Sequence, residues 1–150
     1  MRILIQRVSS ANVKVNGKIT GNIGMGLLCL VGFEEADTDE DLQWGAAKII
    51  ALRIFPDAEG KMNVSLTEAG GEILLVSQFT LFASTKKGNR PSFIGSARPE
   101  TALELYQKFS TLLNSAMEKP VQTGVFGALM EVSLVNDGPV TIWIDTKNKS

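Results

Sequence analysis

The segment that most restricts the fold of this chain is Asn136-Asp137-Gly138-Pro139-Val140-Thr141, which lies between two apolar, strand-like segments near the C-terminus. Glycine and proline together interrupt a ladder of β-sheet hydrogen bonds, and bonds preceding proline are the peptide bonds that adopt the cis form at low cost. The pair therefore predicts either a plain turn between two strands or a fixed backbone kink that presents carbonyl oxygens to a ligand.

Apolar and polar residues alternate through much of the chain, which is typical of half-buried β-strands. Asn16-Gly17 follows the first alternating segment and is a strong signal for a two-residue hairpin turn. Thr38 is the predicted N-cap of a helix, and Pro99 stands close to the favoured first position of another. The sequence predicts strands near 3–15, 19–23, 27–33, 72–82, 130–134 and 140–144, and helices over about 38–53 and 99–119.

The length of 150 residues and the apolar fraction of 44% fit one domain with a substantial core. We expect residues 1–150 to form a strand-rich α+β single domain with mixed or antiparallel sheets, in a barrel-like or β/β/α-layered arrangement, and two principal helices. No apolar run approaches the ~20 residues that a membrane crossing needs, and the charged N-terminal segment is unlike a signal peptide. We therefore expect a cytoplasmic protein without a membrane partner.

The amino-acid composition excludes several kinds of catalytic chemistry. The chain has no histidine, which excludes histidine-based triads, histidine general bases and the usual zinc sites. Its single cysteine, Cys29, lies in an apolar run and is predicted to be a small buried side chain. The carboxylates show no metal-ligand spacing, so we expect no metal and no cofactor. Any chemistry must use hydroxyls, carboxylates, lysines, backbone groups or the substrate itself.

The net charge of −1 provides no overall positive field for long nucleic acid, and we expect no DNA partner. One local run differs, because Lys86, Lys87, Arg90 and Arg98 are not interrupted by any acidic residue. Such a run is compatible with a solvated loop or with a site that holds a few phosphates.

Ser77-Gln78-Phe79-Thr80-Leu81 places polar side chains directly after a buried apolar run. If the strand continues, Gln78 and Thr80 share one face and Ser77 and Phe79 share the other. Thr80 as a nucleophile would need an adjacent base, and the usual one is absent. Hydrogen-bond donors that line an oxyanion pocket are a better use of this segment. A plain strand end with Phe79 packed inward is the alternative.

The two polar segments together resemble the motif pair of the D-aminoacyl-tRNA deacylases. Further segments match that family in order and with compatible spacing along nearly the whole chain. These segments are Gln6-Arg7-Val8, Asp57-Ala58-Glu59-Gly60-Lys61-Met62-Asn63, Arg90-Pro91-Ser92-Phe93 and Thr123-Gly124-Val125-Phe126-Gly127.

The resemblance implies a homodimeric hydrolase that cleaves the ester between a D-amino acid, or glycine, and the 3′-terminal adenosine of aminoacyl-tRNA, a proofreading step in translation. It implies that Gly138 and Pro139, joined by a cis bond, enter the pocket of the other subunit. Two backbone carbonyls would hold the α-amino group of the substrate and leave no room for an L side chain. Chirality would then be enforced by exclusion.

The resemblance also assigns roles to single residues. Arg7 would brace the Gly-Pro dipeptide, while Ser77, Gln78 and Phe79 would shape the pocket for the adenosine and the scissile carbonyl. Thr80 matches a residue proposed as the nucleophile of the family, and the alternative is assistance by the 2′-OH of the terminal ribose.

Met130 would line the same pocket, although a methionine at strand spacing also suits a core. Leu129, where many relatives carry an acid, and the bulky Leu81-Phe82-Ala83 depart from the family pattern and bear on substrate preference. Two other functions are considered: a catalytically silent dimer that binds tRNA ends or a small ligand, and a general esterase with Thr80 or Ser77 as nucleophile, which requires a base that the sequence does not supply.

Overall fold

The computed structural model describes residues 1–150 and contains eight strands, three α-helices and one 3-10 helix. The strands are β1 (Arg2–Val15), β2 (Lys18–Ile23), β3 (Gly26–Gly32), β4 (Phe55–Pro56), β5 (Met62–Val64), β6 (Glu72–Ser77), β7 (Gln122–Thr123) and β8 (Glu131–Asp145). The helices are α1 (Asp39–Ala51), α2 (Leu66–Ala69), α3 (Pro99–Ala116) and the 3-10 helix Phe79–Phe82. None of the helices has the length and apolar character that a membrane span requires.

Six strands form one mixed sheet that is organised by the long strand β1. β8 runs antiparallel along one edge of β1, and the other edge is shared by β3 and β2, which are also antiparallel to it. β3 continues to β6 and β7 through parallel pairing. The sheet curls until β2 meets β7, and their approach is so close that a Cβ atom added to Gly21 would lie 2.7 Å from the carbonyl oxygen of Thr123. The predicted strand-rich α+β fold with a barrel-like mixed sheet is confirmed.

The sheet separates two hydrophobic clusters, since successive residues of a strand point to opposite faces. Leu27 and Leu75 belong to the larger cluster, in which the helices α1 and α3 cover the sheet. Leu28 and Leu74 belong to the smaller cluster, on the other face of the same strands. β3 and β6 are therefore covered on both sides, which accounts for their nearly continuous apolar sequences.

Local sequence signals account for the turn and helix boundaries. Asn16 and Gly17 both adopt positive φ, of 52° and 76°, as a two-residue hairpin turn requires. The backbone N–H of Thr38 donates to the carboxylate of Asp41 at 2.9 Å and so begins α1. Pro99 opens α3, where its missing N–H costs nothing. Both principal helices are confirmed, and each ends two or three residues before the predicted boundary.

Two predictions about the strands are wrong in a way that matters for the site. β6 ends at Ser77, and the chain then turns into the 3-10 helix Phe79–Phe82, so residues 77–80 do not alternate between two faces of a strand. The two predicted C-terminal strands are one continuous strand, β8, with the Gly-Pro pair inside it. β8 accommodates the pair as a bulge, in which four of its residues, 137–140, lie opposite the single residue Arg7, whose neighbours Gln6 and Val8 pair with Thr141 and Asn136.

Candidate functional site

A cavity of about 540 Å³ opens where the parallel strands β3 and β6 end. It is lined by residues 31–33 and 76–79 at these strand ends, by residues at and just before the start of α3, and by residues 126–130. Most of the lining is apolar. A concave, mainly apolar pocket with a few polar groups is the usual form of a small-molecule site.

The structure brings four of the predicted site residues together around this cavity: Ser77, Gln78, Phe79 and Met130. The backbone N–H of Gln78 donates to the carbonyl oxygen of Val31 at 2.7 Å, which fixes the chain where β6 ends. The Phe79 side chain remains 55% exposed, so it does not pack inward as a plain strand end would.

Thr80 belongs to the 3-10 helix and does not line the cavity. It is exposed, and its hydroxyl oxygen accepts a hydrogen bond from the side-chain amide of Gln78. An amide group does not accept a proton at neutral pH, so this contact orients the hydroxyl without activating it.

The Gly138-Pro139 peptide bond is cis, and the dipeptide is exposed at the kink of β8. Gly138 has φ of +144°, a conformation that L side chains rarely adopt. A Cβ atom at this position would lie 2.8 Å from a methyl carbon of Val140 and 3.2 Å from a guanidinium nitrogen of Arg7. Only glycine fits this position without movement of its neighbours.

Two side chains hold the kink in place from beneath. The guanidinium of Arg7, which is 9% exposed, donates to the carbonyl oxygen of Asp137 at 2.9 Å and to that of Ile54 at 2.6 Å. The side-chain oxygen of Asn136 accepts from the backbone N–H of Val140 at 2.8 Å. The Arg7 hydrogen bonds are charge-assisted and therefore roughly twice as strong as neutral ones, and together with the Asn136 bond they hold the backbone of the kink in place.

The predicted site residues fall into two separate groups. Arg7, Gly138 and Pro139 are in mutual contact or adjacent in the chain, and none of them lines the cavity that holds Ser77, Gln78 and Phe79. The cavity is therefore accessible to a residue of another molecule, and the kink is accessible to the cavity of another molecule.

Residues 4–145 match the family model described as D-Tyr-tRNA(Tyr) deacylase. The chain belongs to this deacylase family. The predicted membership of the D-aminoacyl-tRNA deacylases, a family of hydrolytic enzymes, is confirmed.

Relatives in bacteria support the same assignment. A protein of Akkermansia muciniphila named D-aminoacyl-tRNA deacylase is 58% identical over 149 residues, which is 99% of each chain. A Bacteroides thetaiotaomicron protein of the same name is 57% identical over 149 residues, again 99% of each. A solved structure titled c-Myc DNA Unwinding Element Binding Protein superposes with a TM-score of 0.92 at 39% identity, covering 97% of this chain and 98% of that one. A structure titled a probable eukaryotic D-amino acid tRNA deacylase shares the fold, with a TM-score of 0.81 at 21% identity over 95% and 97% of the two chains.

One of the segments that resembles the deacylase family supports the kink indirectly. The carboxylate of Asp57 accepts from the backbone N–H groups of Glu59 and Lys61 at 2.9 and 3.0 Å and from the Asn63 side chain at 2.9 Å. The Asn63 hydrogen bond, followed by those of the backbone, lowers the pKa of Asp57 below its usual value. This turn follows Ile54 in the chain, and the Ile54 carbonyl is one of the two that Arg7 binds.

Two ionisable groups near the core of this deacylase are unsuited to catalysis. Burial raises the pKa of the Cys29 thiol to about 12, which agrees with its prediction as a buried apolar side chain. Burial also raises the pKa of Tyr106 to about 12, and its hydroxyl donates to the carbonyl oxygen of Leu75. No group of three or more side chains is arranged to hold a metal ion.

Sequence reasoning did not assign several cavity residues to the site. Phe93 and Phe126 lay in segments that match the deacylase family, but their role was not specified; both line the cavity. Ala97, just before α3, and Ala102, near the start of α3, contribute small side chains, and the helical pattern marked only Ala102 as part of a helix. No local signal identifies these residues, because the cavity is formed by segments that are distant in sequence.

Proposed function

We propose that the protein hydrolyses the ester bond between a D-amino acid and the 3′-terminal adenosine of tRNA, and also cleaves glycyl-tRNA, acting as a homodimer. In this proposal Gly138-Pro139 of one protomer enters the cavity of its partner and excludes L-aminoacyl groups. The names of the bacterial relatives, which cover nearly the whole chain, support the deacylase activity.

The observation that carries the cross-subunit arrangement is the separation of the kink from the cavity in one chain. The dipeptide is exposed, and Arg7 braces it through the neighbouring Asp137 carbonyl. The cavity in turn lacks any residue of the kink. If two copies of the chain associate, the exposed kink of one copy can enter the cavity of the other.

The outer edge of β8 supports association of two copies. β8 pairs with β1 along one edge and with no strand along the other, although it is 15 residues long. Leu134, Val135 and Trp143 on this strand are 36%, 56% and 50% exposed. Long apolar edge strands are normally covered in a stable protein, and a second copy of the chain would cover this one beside its Gly-Pro kink.

The cavity suits the end of an aminoacyl-tRNA in size and chemistry. Its volume of about 540 Å³ lies within the usual range of roughly 300–1,000 Å³ for small-molecule sites. Phe79 and Phe93 meet edge to face, with ring centroids 5.1 Å apart, at its rim. Proteins that bind unpaired nucleotides commonly stack the bases on such aromatic side chains.

Exclusion of L-amino acids follows from steric contact rather than from a favourable contact with the D side chain. The carbonyl oxygens of Gly138 and Pro139 would accept hydrogen bonds from the α-amino group, which places the Cα hydrogen of a D substrate toward the kink. An L substrate would direct its side chain at the same backbone. Glycine has no side chain to exclude, so glycyl-tRNA is expected to be cleaved.

The hydrolytic step is proposed to use the substrate itself. No histidine is available, and Thr80 contacts an amide that cannot act as its base. The Gln78 N–H is already bonded to the Val31 carbonyl, so the backbone N–H of Phe79 would stabilise the charge that develops on the substrate carbonyl oxygen. The ribose 2′-OH beside the ester would then assist attack by water, and Thr80 would not form an acyl intermediate.

The first experiment compares hydrolysis of D-tyrosyl-, L-tyrosyl- and glycyl-tRNA by the purified protein. We expect rapid loss of the D and glycyl esters while the L ester is spared. Cleavage of none would favour a silent binding relative, and equal cleavage of all three would favour a general esterase.

The cross-subunit arrangement is tested by complementation between two variants. Gly138→Ala damages the kink and leaves the cavity intact, whereas Ala128→Trp fills the cavity and leaves the kink intact. Heterodimers isolated with two different affinity tags after co-expression would contain one intact cavity that receives one intact kink. We expect them to recover about half of the wild-type activity. Heterodimers without activity would contradict the arrangement.

A further inference from the structure

A short hairpin beside the cavity, which we call the basic arm (residues 84–92), is not used by the proposed reaction. Its base is closed by Ser84 and Ser92, whose backbone groups exchange two hydrogen bonds of 2.8 and 2.9 Å. Every residue of the arm is exposed. The arm is therefore a defined projection and not part of the core.

The arm has three cationic side chains that have no carboxylate partner. Lys86, Lys87 and Arg90 are absent from the ion pairs of the protein, and the arm contains no acidic residue. Arg98, which the sequence grouped with them, differs because its side chain and backbone N–H both bind the carboxylate of Glu35. A local charge of +3 on a chain with a net charge of −1 is a strong local asymmetry.

The arm is joined directly to the rim of the cavity. Phe93 follows it in the chain, lines the cavity and contacts Phe79 edge to face. Thr85 and Lys86 of the arm line a second, polar hollow together with Arg2 and one acidic residue, Glu34. A polyanion whose end lies in the cavity would therefore pass the cationic side chains as it leaves.

We propose that the basic arm binds backbone phosphates of the tRNA acceptor end whose terminal nucleotide occupies the cavity. This inference rests on the proposed function. The arm would supply affinity without reading sequence, because contacts to phosphate position a nucleic acid but do not distinguish its bases. It would also restrict tight binding to substrates that carry an extended phosphate backbone, as tRNA does and a free aminoacyl nucleoside does not.

The test removes the three charges together in the variant Lys86→Gln/Lys87→Gln/Arg90→Gln. Hydrolysis is measured with D-tyrosyl-tRNA and with the D-tyrosyl ester of adenosine, which has no phosphate. We expect kcat/KM for the tRNA to fall at least tenfold at about 50 mM salt. The slope of log Kd for uncharged tRNA against log salt should flatten by about 2, since each contact contributes roughly 0.7. Hydrolysis of the adenosine ester should be unchanged.

A matched control removes three lysines elsewhere, in the variant Lys18→Gln/Lys48→Gln/Lys149→Gln. Lys48 and Lys149 lie over the ring of Trp44, Lys18 begins β2, and none of them lines either hollow. This variant has the same net charge as the arm variant. An equal loss of tRNA binding in both variants would overturn the proposal, because it would show an effect of net charge alone.

The two hypotheses fail in different ways. If the wild type cleaves both D-tyrosyl esters and the arm variant cleaves the tRNA ester equally well, the arm proposal is overturned and the proposed function stands. If the wild type cleaves neither ester, the proposed function fails. Binding of uncharged tRNA, measured by fluorescence anisotropy, then decides the arm proposal: selective loss in the arm variant supports it, and unchanged binding overturns it.

Discussion

The cavity segment (77–80) and the kink (136–141) are both polar interruptions of apolar strands, yet they are built in opposite ways. In the cavity segment β6 ends, the backbone turns into a 3-10 helix, and side chains are left facing an open space. In the kink β8 continues, and buried or half-buried side chains are used to hold the backbone. The first segment offers side chains to a ligand, and the second offers a backbone.

This difference explains why the two segments respond differently to substitution. The kink offers its backbone and depends on the residues that hold that backbone, so substitutions at Arg7 and Gly138 should reduce activity most. A side-chain element depends on each group separately, so smaller effects are expected at Phe79 and Thr80. The comparison fails if substitutions in the cavity segment prove more damaging than those at the kink.

Arg7→Met is expected to have the largest effect. It leaves the carbonyl oxygens of Asp137 and Ile54 without their charged donor in a buried site, which costs about 3 kcal/mol of folding stability. Loss of the rigid kink should lower kcat/KM for D-tyrosyl-tRNA at least a hundredfold. Urea unfolding and single-turnover hydrolysis measure the two effects.

The matched control for Arg7 is Arg53→Met. Arg53 also donates to a backbone carbonyl, that of Asn63 at 2.7 Å, but its side chain is exposed. We expect a loss of less than about 1 kcal/mol, because solvent replaces an exposed hydrogen bond. Similar losses in both variants would show that the burial of Arg7 is unimportant.

Gly138→Ala should have the second largest effect on activity. The added Cβ is crowded by Val140 and Arg7, and φ is unfavourable for alanine. We expect a tenfold or greater fall in turnover of D-tyrosyl-tRNA, with adenosine binding unchanged in an equilibrium titration. Gly17→Ala is the control, since Gly17, in the turn between β1 and β2, has φ of +76° and open space around its Cβ position. It should lose about 1 kcal/mol of stability and no activity.

The sequence was sufficient for elements that local rules determine. Asn16-Gly17 determines a hairpin turn, Thr38 determines the start of α1, and Pro99 determines the start of α3. All three features lie where the sequence predicts them. The 3-10 turn after Ser77 was missed because Phe79-Thr80-Leu81-Phe82 has an apolar pattern that a strand would also accept. Its conformation depends on packing against β3, which no local rule describes.

The site was predicted unevenly for the same reason. Ser77, Gln78, Phe79 and Met130 were identified through the family resemblance, and the structure gathers them around one cavity. Continuity of β8 was not foreseen, because a proline normally ends or interrupts a strand. The strand is kept intact by Arg7, far away in sequence, and only the sheet register shows this.

Phe79→Ala sharpens the comparison at the cavity. Its ring is more than half exposed, so stability should change little. If it stacks on the adenine of the substrate, KM should rise roughly tenfold, since such a contact is worth about 1–3 kcal/mol per base. Phe79→Leu separates stacking from burial and should restore less than half of the loss. Full restoration by leucine would show that an apolar contact is enough.

Thr80→Ala is expected to have the smallest effect, and it addresses the chemistry directly. The Thr80 hydroxyl contacts only the Gln78 amide among hydrogen-bonding side chains and lies outside the cavity lining. If the substrate 2′-OH assists hydrolysis, single-turnover rates should fall threefold or less, and Thr80→Val should behave alike because only the hydroxyl is lost. A D-aminoacyl-tRNA with a 2′-deoxy terminal adenosine should then be cleaved at least a hundredfold more slowly by wild type and variants. A thousandfold loss in both Thr80 variants, with normal cleavage of the deoxy substrate, would instead identify Thr80 as the nucleophile.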